Sequence, residues 1–395
     1  MRVGFDARWY NESGVGTYVK ELLTAFSEFR DEVEIIAYED PKNQLPASVA
    51  PVIRRAPVSS SKFTVGEQFE LRARCKSDQI SVFHSPYQYG APLLLPCPLV
   101  VTVHDLIPFL FRTRSWPKQL AVIPFVKLGY RAAALGAHHI IADSENTAHD
   151  VERILRVPPD RITPIHLAAS EAPFHPWPVA EEAADLSAKY GVKSPYVVVG
   201  SAGNWRTKNL ETSLRALALG REISGVDFQT VVYGPEKGVN VLVKRSPTLG
   251  SNLRRVGYLP VNDLGALFRN AMLFLTASQY EGFGLPIVEA MSSGCPVVTS
   301  NGGSLGEVAG HGAQVFDPMD ARGMAEAVAR VLLQPEEHQY WRARGLARAT
   351  NFSWGRTAEQ TLAVYRKVCH SVPGQEHLVG SRTAAASTVN DQDAA

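Results

Sequence analysis

Two glutamates eight positions apart, Glu281 and Glu289, carry the chemistry this sequence makes easiest to read. A carboxylate accepts from two hydroxyls at once, which suits the vicinal diols of ribose and hexose rings. Between them runs Gly282-Phe283-Gly284-Leu285-Pro286-Ile287-Val288. The glycines permit a tight loop. Pro286 suits the first turn of a helix, where its fixed φ fits and its missing N–H is not needed. A helix starting there has free N–H groups and a positive dipole end, so the loop before it suits a phosphate. A plainer reading stands beside this one. An acid in a helix's first turns stabilises the dipole, and a loop glutamate can simply be solvated.

The surrounding residues say how such a pair is positioned. Met272 to Ala277 is a short apolar run, expected as a buried parallel strand. Gly294 is placed to cap the helix at its C-terminus, Pro296 prevents continuation, and Val297-Val298-Thr299 reads as the next strand. Both glutamates therefore fall on the side of a strand–loop–helix–strand unit where doubly wound sheets bind ligands.

Three further stretches have the same form. Tyr196 to Val199 is a strand pattern, followed by a loop holding Gly203, Arg206 and Lys208. Backbone N–H groups with two cations fit a diphosphate, although cations beside glycines are common on surfaces. Leu99 to Val103 ends in His104-Asp105, where a polar pair can be catalytic or can simply hydrogen-bond within the fold. Ser13-Gly14-Val15-Gly16 reads as a loop between the strand Arg2 to Asp6 and a helix from Thr17 to Phe29. Gly14 and Gly16 alone fit an anion loop or an ordinary turn.

The chain has 395 residues, enough for two cores. Its formal net charge of +1 argues against nucleic acid as a partner. No run approaches the ~20 apolar residues of a membrane span, and the chain opens on a strand pattern rather than a signal peptide. The four cysteines lack metal-type spacing and fit reduced thiols in a cytoplasmic protein. Residues 41–57 read as loop, 168–178 as the domain boundary, and 373–395 as a disordered tail. Expected domains are thus 1–172 and 173–372. Leu106 to Ala142 carries five basic residues and no acidic one. It fits a solvated helix face or peripheral contact with an anionic inner-membrane surface, and Pro117 and Pro124 speak against one clean helix.

The run from Glu281 to Val298 resembles the E-x7-E signature of the family-4 retaining glycosyltransferases, and matching pieces follow in order over roughly Arg2 to Tyr365. The resemblance implies an α/β, GT-B fold of two Rossmann-like doubly wound domains facing a cleft, its last helix crossing back to the first domain. It implies that Glu281 contacts the donor sugar, that Glu289 holds the ribose hydroxyls, and that Gly282, Phe283, Gly284 and Leu285 line the donor. It places His104 against the sugar with Asp105 supporting it, Arg206 and Lys208 on the leaving diphosphate with Gly203, and Gly14 and Gly16 near the diphosphate and acceptor. Tyr258 and Leu259 would border the nucleobase, and Gly302 to Glu307 would form a further loop near the donor. The implied activity is metal-independent hexosyl transfer to a saccharide or lipid-linked saccharide, with no cofactor. Its donor is expected to be GDP-mannose, with UDP-glucose or another hexose donor as the alternative. A non-catalytic sugar-nucleotide sensor and a sugar-nucleotide epimerase are readings of other classes.

Overall fold

The computed structural model describes residues 1–10, 13–46, 49, 53–111, 116–201 and 205–370. Short Val-, Ile- and Leu-rich runs build two wholly parallel sheets. Such strands are buried on both faces and need helical crossovers to return the chain. The first sheet holds β1 (Arg2–Asp6), β2 (Glu34–Glu39), β3 (Arg54–Pro57), β4 (Val82–Ser85), β5 (Leu99–Val103), β6 (His139–Ala142) and β7 (Ile162–Pro164). Their order is β3-β2-β1-β4-β5-β6-β7. The second holds β8 (Tyr196–Gly200), β9 (Gln229–Tyr233), β10 (Leu253–Gly257), β11 (Leu273–Thr276), β12 (Val297–Ser300) and β13 (Gln314–Phe316), in the order β10-β9-β8-β11-β12-β13. Each is the doubly wound arrangement, with its topological switch at β1/β4 and at β8/β11 respectively.

One apolar cluster runs from Val3 and Phe5 through Phe283 to Val198 and Phe274, so the two halves share a continuous core. The outer face of each sheet has a cluster of its own. The last helix, Trp354–His370, returns to the first half: Tyr365 is fully buried and its hydroxyl meets His84 Nδ1.

Three local expectations change. Ser13-Gly14-Val15-Gly16 is no loop but the first turn of the helix Ser13–Ala25, which ends in the 3₁₀ turn Phe26–Phe29. Burial of Tyr18, Val19, Leu22 and Leu23 outweighs the poor helix propensity of two glycines. Residues 41–57 contain β3, whose Ala56 is buried beside Tyr38 of β2. Pro117 and Pro124 both fall within one helix, Trp116–Gly136. The former sits in the first turn, where no N–H is missed. Gly203 and the tail 373–395 lie outside the described residues. Among the described residues no helix is long and apolar enough to cross a membrane.

Candidate active site

β11 leaves its sheet at Thr276, and the chain turns through Ser278–Gly284 into the helix Leu285–Ser292. Gly284 makes the turn at φ 94°, in the left-handed region, and Pro286 occupies the first helical turn. Gly294 closes the helix at φ 71°. The loop is gripped from a neighbouring turn, because the Ser304 N–H and hydroxyl both donate to the Glu281 carbonyl, at 3.1 and 3.0 Å.

Glu281 therefore has a fixed direction. Lys208 Nζ donates to both its oxygens, at 2.6 and 2.8 Å, and Ser278 Oγ donates to Oε1 at 2.6 Å. The cavity between β8, β11 and the helix is lined by Gly200, Lys208, Tyr233, Thr276, Glu281 and Pro286, among others. Glu289, one turn into the helix, is half-buried, and its carboxylate has no hydrogen-bond partner among the described residues. Burial pushes its pKa up to about 7. An acid withdrawn from water without a partner is costly to ionise, and the hydroxyls of a ligand would relieve that cost.

Across from this unit, His104 follows β5. Its Nδ1 donates to Asp143 Oδ2 at 2.7 Å and its Nε2 donates to the Pro86 carbonyl at 2.7 Å. With an acceptor at each nitrogen, the geometry favours the doubly protonated, positively charged ring. Burial alone would discharge it, but Asp143 and Pro86 outweigh that, and the pKa is raised. Among the described residues, Asp143 Oδ1 is buried without a partner of its own. The expected supporter, Asp105, does not bond the ring, since its Oδ1 accepts from the Ile107 N–H at 2.9 Å, but its charge adds to the raised histidine pKa. The reason is that β5 and β6 pair Val103 with Ala142, so the next residues along, His104 and Asp143, emerge side by side.

The two units touch. A Cβ on Gly282 would stand 1.7 Å from the His104 carbonyl oxygen, so only glycine fits there. The Gly282 carbonyl accepts from Ser144 Oγ at 2.6 Å and Thr147 Oγ1 at 2.9 Å. Glu307 also reaches across, accepting from the backbone N–H groups of Glu145 and Asn146, at 2.9 and 3.1 Å, and bonding His166 Nε2 at 2.6 Å. Burial would raise its pKa, but His166 and the two N–H groups hold it below the usual range.

Thus Lys208, Glu281, Gly282, Phe283, Gly284, Leu285, Glu289 and His104 are brought together. Gly14 and Gly16 lie in the first turn of a helix whose Tyr18 ring meets His104 edge-on at 5.1 Å. Arg206 is exposed, its guanidinium 5.2 Å from the Trp205 ring centre, and does not line the cavity around Glu281. Tyr258 is 76% exposed at the end of β10, and Leu259 follows it half-buried. The sequence reading missed Asp143 and also Tyr233. The latter is buried at the end of β9, and the charges of Glu289 and Glu281, added to burial, push its pKa well up. Both are strand-end polar groups, the kind of position His104 also holds, but no family resemblance singled them out.

Comparison with known proteins agrees with this architecture. Residues 183–348 match the model for "Glycosyl transferases group 1" and residues 13–169 that for "Glycosyltransferase Family 4". The chain is 27% identical to the O-antigen chain mannosyltransferase B of Escherichia coli over 383 residues, covering 90% of this chain and 97% of the other. Among solved structures, sucrose-phosphate synthase from Thermosynechococcus elongatus superposes with a TM-score of 0.74 at 19% identity, covering 94% of this chain and all of that one. Anabaena HepE, in complex with UDP-glucose, gives 0.73 at 16% identity, covering 93% of this chain and all of that one. At those identities the likeness is one of fold.

Proposed function

The chain belongs to the family-4 glycosyltransferases of GT-B fold, and from that premise we propose that it transfers mannose from GDP-mannose, with retention of configuration, to a saccharide or lipid-linked saccharide in polysaccharide synthesis. The observation that carries the reading is the Lys208–Glu281 pair beyond β11, with Glu289, unpartnered among the described residues, eight residues on. In this reading Glu289 takes the ribose diol and Glu281 a sugar hydroxyl. Lys208 is then released to the diphosphate as charge develops on it. The acceptor oxygen attacks the anomeric carbon from the face the diphosphate leaves. As that C–O bond forms, the bond to phosphate breaks and a phosphate oxygen takes the acceptor's proton, so no protein nucleophile is needed. The imidazolium of His104 adds positive charge on the first half's side. Mannose follows the E. coli relative, and UDP-glucose, the ligand of the HepE complex, is the competing donor.

The test is a donor screen followed by NMR of the product. At equal concentrations GDP-mannose should give the largest thermal shift, reaching a stabilisation of about 2.7 kcal/mol at a hundred times its Kd, and an α-linked mannoside. A β linkage from an α donor would refute the retaining mechanism. Turnover of the donor to an isomer without acceptor would indicate an epimerase instead, and binding without turnover a sensor.

Two smaller effects are expected at the same site. Activity should survive EDTA with little loss, because Lys208 supplies the charge a divalent ion would otherwise bring. Abolition by EDTA with rescue by Mn²⁺ would sink this. The second effect concerns pH. The pKa of Glu289 lies above its ordinary 4.5 in the fold, so ionisation destabilises the free protein increasingly as pH rises from 4.5 toward about 7. Ligand binding has the opposite sign, since only the carboxylate accepts from both ribose hydroxyls. GDP affinity should therefore weaken as pH falls through 7, and Glu289→Gln should flatten that dependence. Calorimetry at pH 6 and 8 giving equal affinities for the unaltered protein would discard the ribose role.

A further inference from the structure

Among the described residues, the first half of the molecule leaves a broad apolar surface without a partner. On the helix Trp116–Gly136, Phe125, Leu128 and Leu135 are 59, 63 and 83% exposed at positions i, i+3 and i+10, which lie on one face. On the helix Val65–Ser77, Val65 and Phe69 are 75 and 61% exposed at i and i+4. The turn Leu93–Leu94, also exposed, joins these two faces. Gln68 Oε1 accepts from the Leu93 N–H at 2.7 Å, Arg72 Nη1 donates to the Leu94 carbonyl at 3.1 Å, and the Leu93 side chain lies against Gly136. Isolated exposed leucines are ordinary, but two helices and a turn presenting them together mark an interaction site.

Charge says what kind. Between residues 106 and 142 there are five basic residues and no acidic one. Lys127 Nζ and the Arg131 guanidinium sit over the Phe109 ring at 5.1 and 5.7 Å, at the margin of the apolar face. On the neighbouring helix Arg72 and Lys76 are exposed, while Glu67 is buried against Arg8 and Glu70 is bonded to the Ser59 and Ser60 N–H groups. Apolar side chains flanked by Lys127, Arg131, Arg72 and Lys76 complement an anionic lipid headgroup layer over hydrocarbon.

This face is also joined to the catalytic cleft. Successive ring contacts run from Phe125 to Tyr89 (5.9 Å), Phe63 (4.8 Å), Trp9 (5.8 Å), Tyr87 (4.4 Å) and His104 (6.4 Å). We propose that the apolar face formed by these two helices and the Leu93–Leu94 turn docks the protein on an anionic bilayer. Docked so, the His104 side of the cleft, linked to Phe125 through these packed rings, is held beside the bilayer where an acceptor's sugar head arrives. The second clause rests on the glycosyl-transfer reading, whereas the docking does not.

The experiment is flotation of the full chain with vesicles, so that docking is read without donor or acceptor. Vesicles containing phosphatidylglycerol should carry the protein, pure phosphatidylcholine vesicles should not, and binding should fall as salt rises from 0.05 to about 0.5 M, as the Debye length shortens. Phe125→Asp with Leu128→Asp should lower the bound fraction at least tenfold. Nucleotide affinity and the circular dichroism spectrum should stay unchanged, because both side chains already face solvent. Leu333→Asp, at an exposed leucine of the second half, should bind vesicles normally. Equal binding to neutral and anionic vesicles, or no effect of the double substitution, would overturn the proposal. So would a concentration-dependent dimer that the substitution dissolves, since the face would then belong to a second copy.

Discussion

Lys208→Ala should lower kcat by about 10²–10³-fold while leaving the donor KM within a few-fold, the loss typical of removing one fixed donor to a developing oxyanion. The geometry argues for so large an effect. Lys208 bonds both oxygens of Glu281, so its removal withdraws the cation and also leaves an unneutralised carboxylate close to the leaving diphosphate. The variant Lys208→Ala/Glu281→Gln should then be less impaired than the product of the two single losses, because residues in direct contact couple. Steady-state kinetics on the four proteins checks both statements. A Lys208→Ala enzyme with normal kcat would remove that lysine from the mechanism.

Gly282→Ala is expected to be nearly as damaging, for a steric reason. The new methyl would need to occupy a point 1.7 Å from a backbone carbonyl oxygen, which no side-chain rotation can clear. Either the loop withdraws, losing the bonds from Ser144 and Thr147 and carrying Glu281 with it, or the two halves part. A shift of one ångström at a reacting centre can cost about 10²-fold in rate. Nucleotide affinity should stay within tenfold, because Glu289 sits beyond the contact on the helix. Near-normal turnover by Gly282→Ala would show that the contact between Gly282 and His104 is absent from the reacting state.

Much of this site could be read before its geometry was known, and the limits have physical causes. The unit from β11 to β12 was legible because one continuous segment contains its strand, glycine turn, helix start and helix stop. His104 was legible as a strand end, but its partner was not. Asp143 is 39 residues away, and only the pairing of β5 with β6 brings it alongside. Gly14 and Gly16 misled because intrinsic propensity favours a loop there, whereas the buried face from Tyr18 to Leu23 favours a helix. The contact of Glu307 with the start of the helix Glu145–Asp150 joins opposite halves, and no local pattern announces such a bond.

The last helix, Trp354–His370, has a consequence for biosynthesis. Its Tyr365 fills a slot against His84 and Phe26, inside a half whose strands end at Pro164. That half cannot complete its own core when its strands leave the ribosome; it must wait for roughly two hundred more residues. At about 5–20 residues per second the delay is on the order of 10–40 s, during which the slot stands open. Deletion of residues 354–395 should therefore yield a nascent chain that depends on chaperones or is degraded, even though neither proposed glutamate nor Lys208 has been touched.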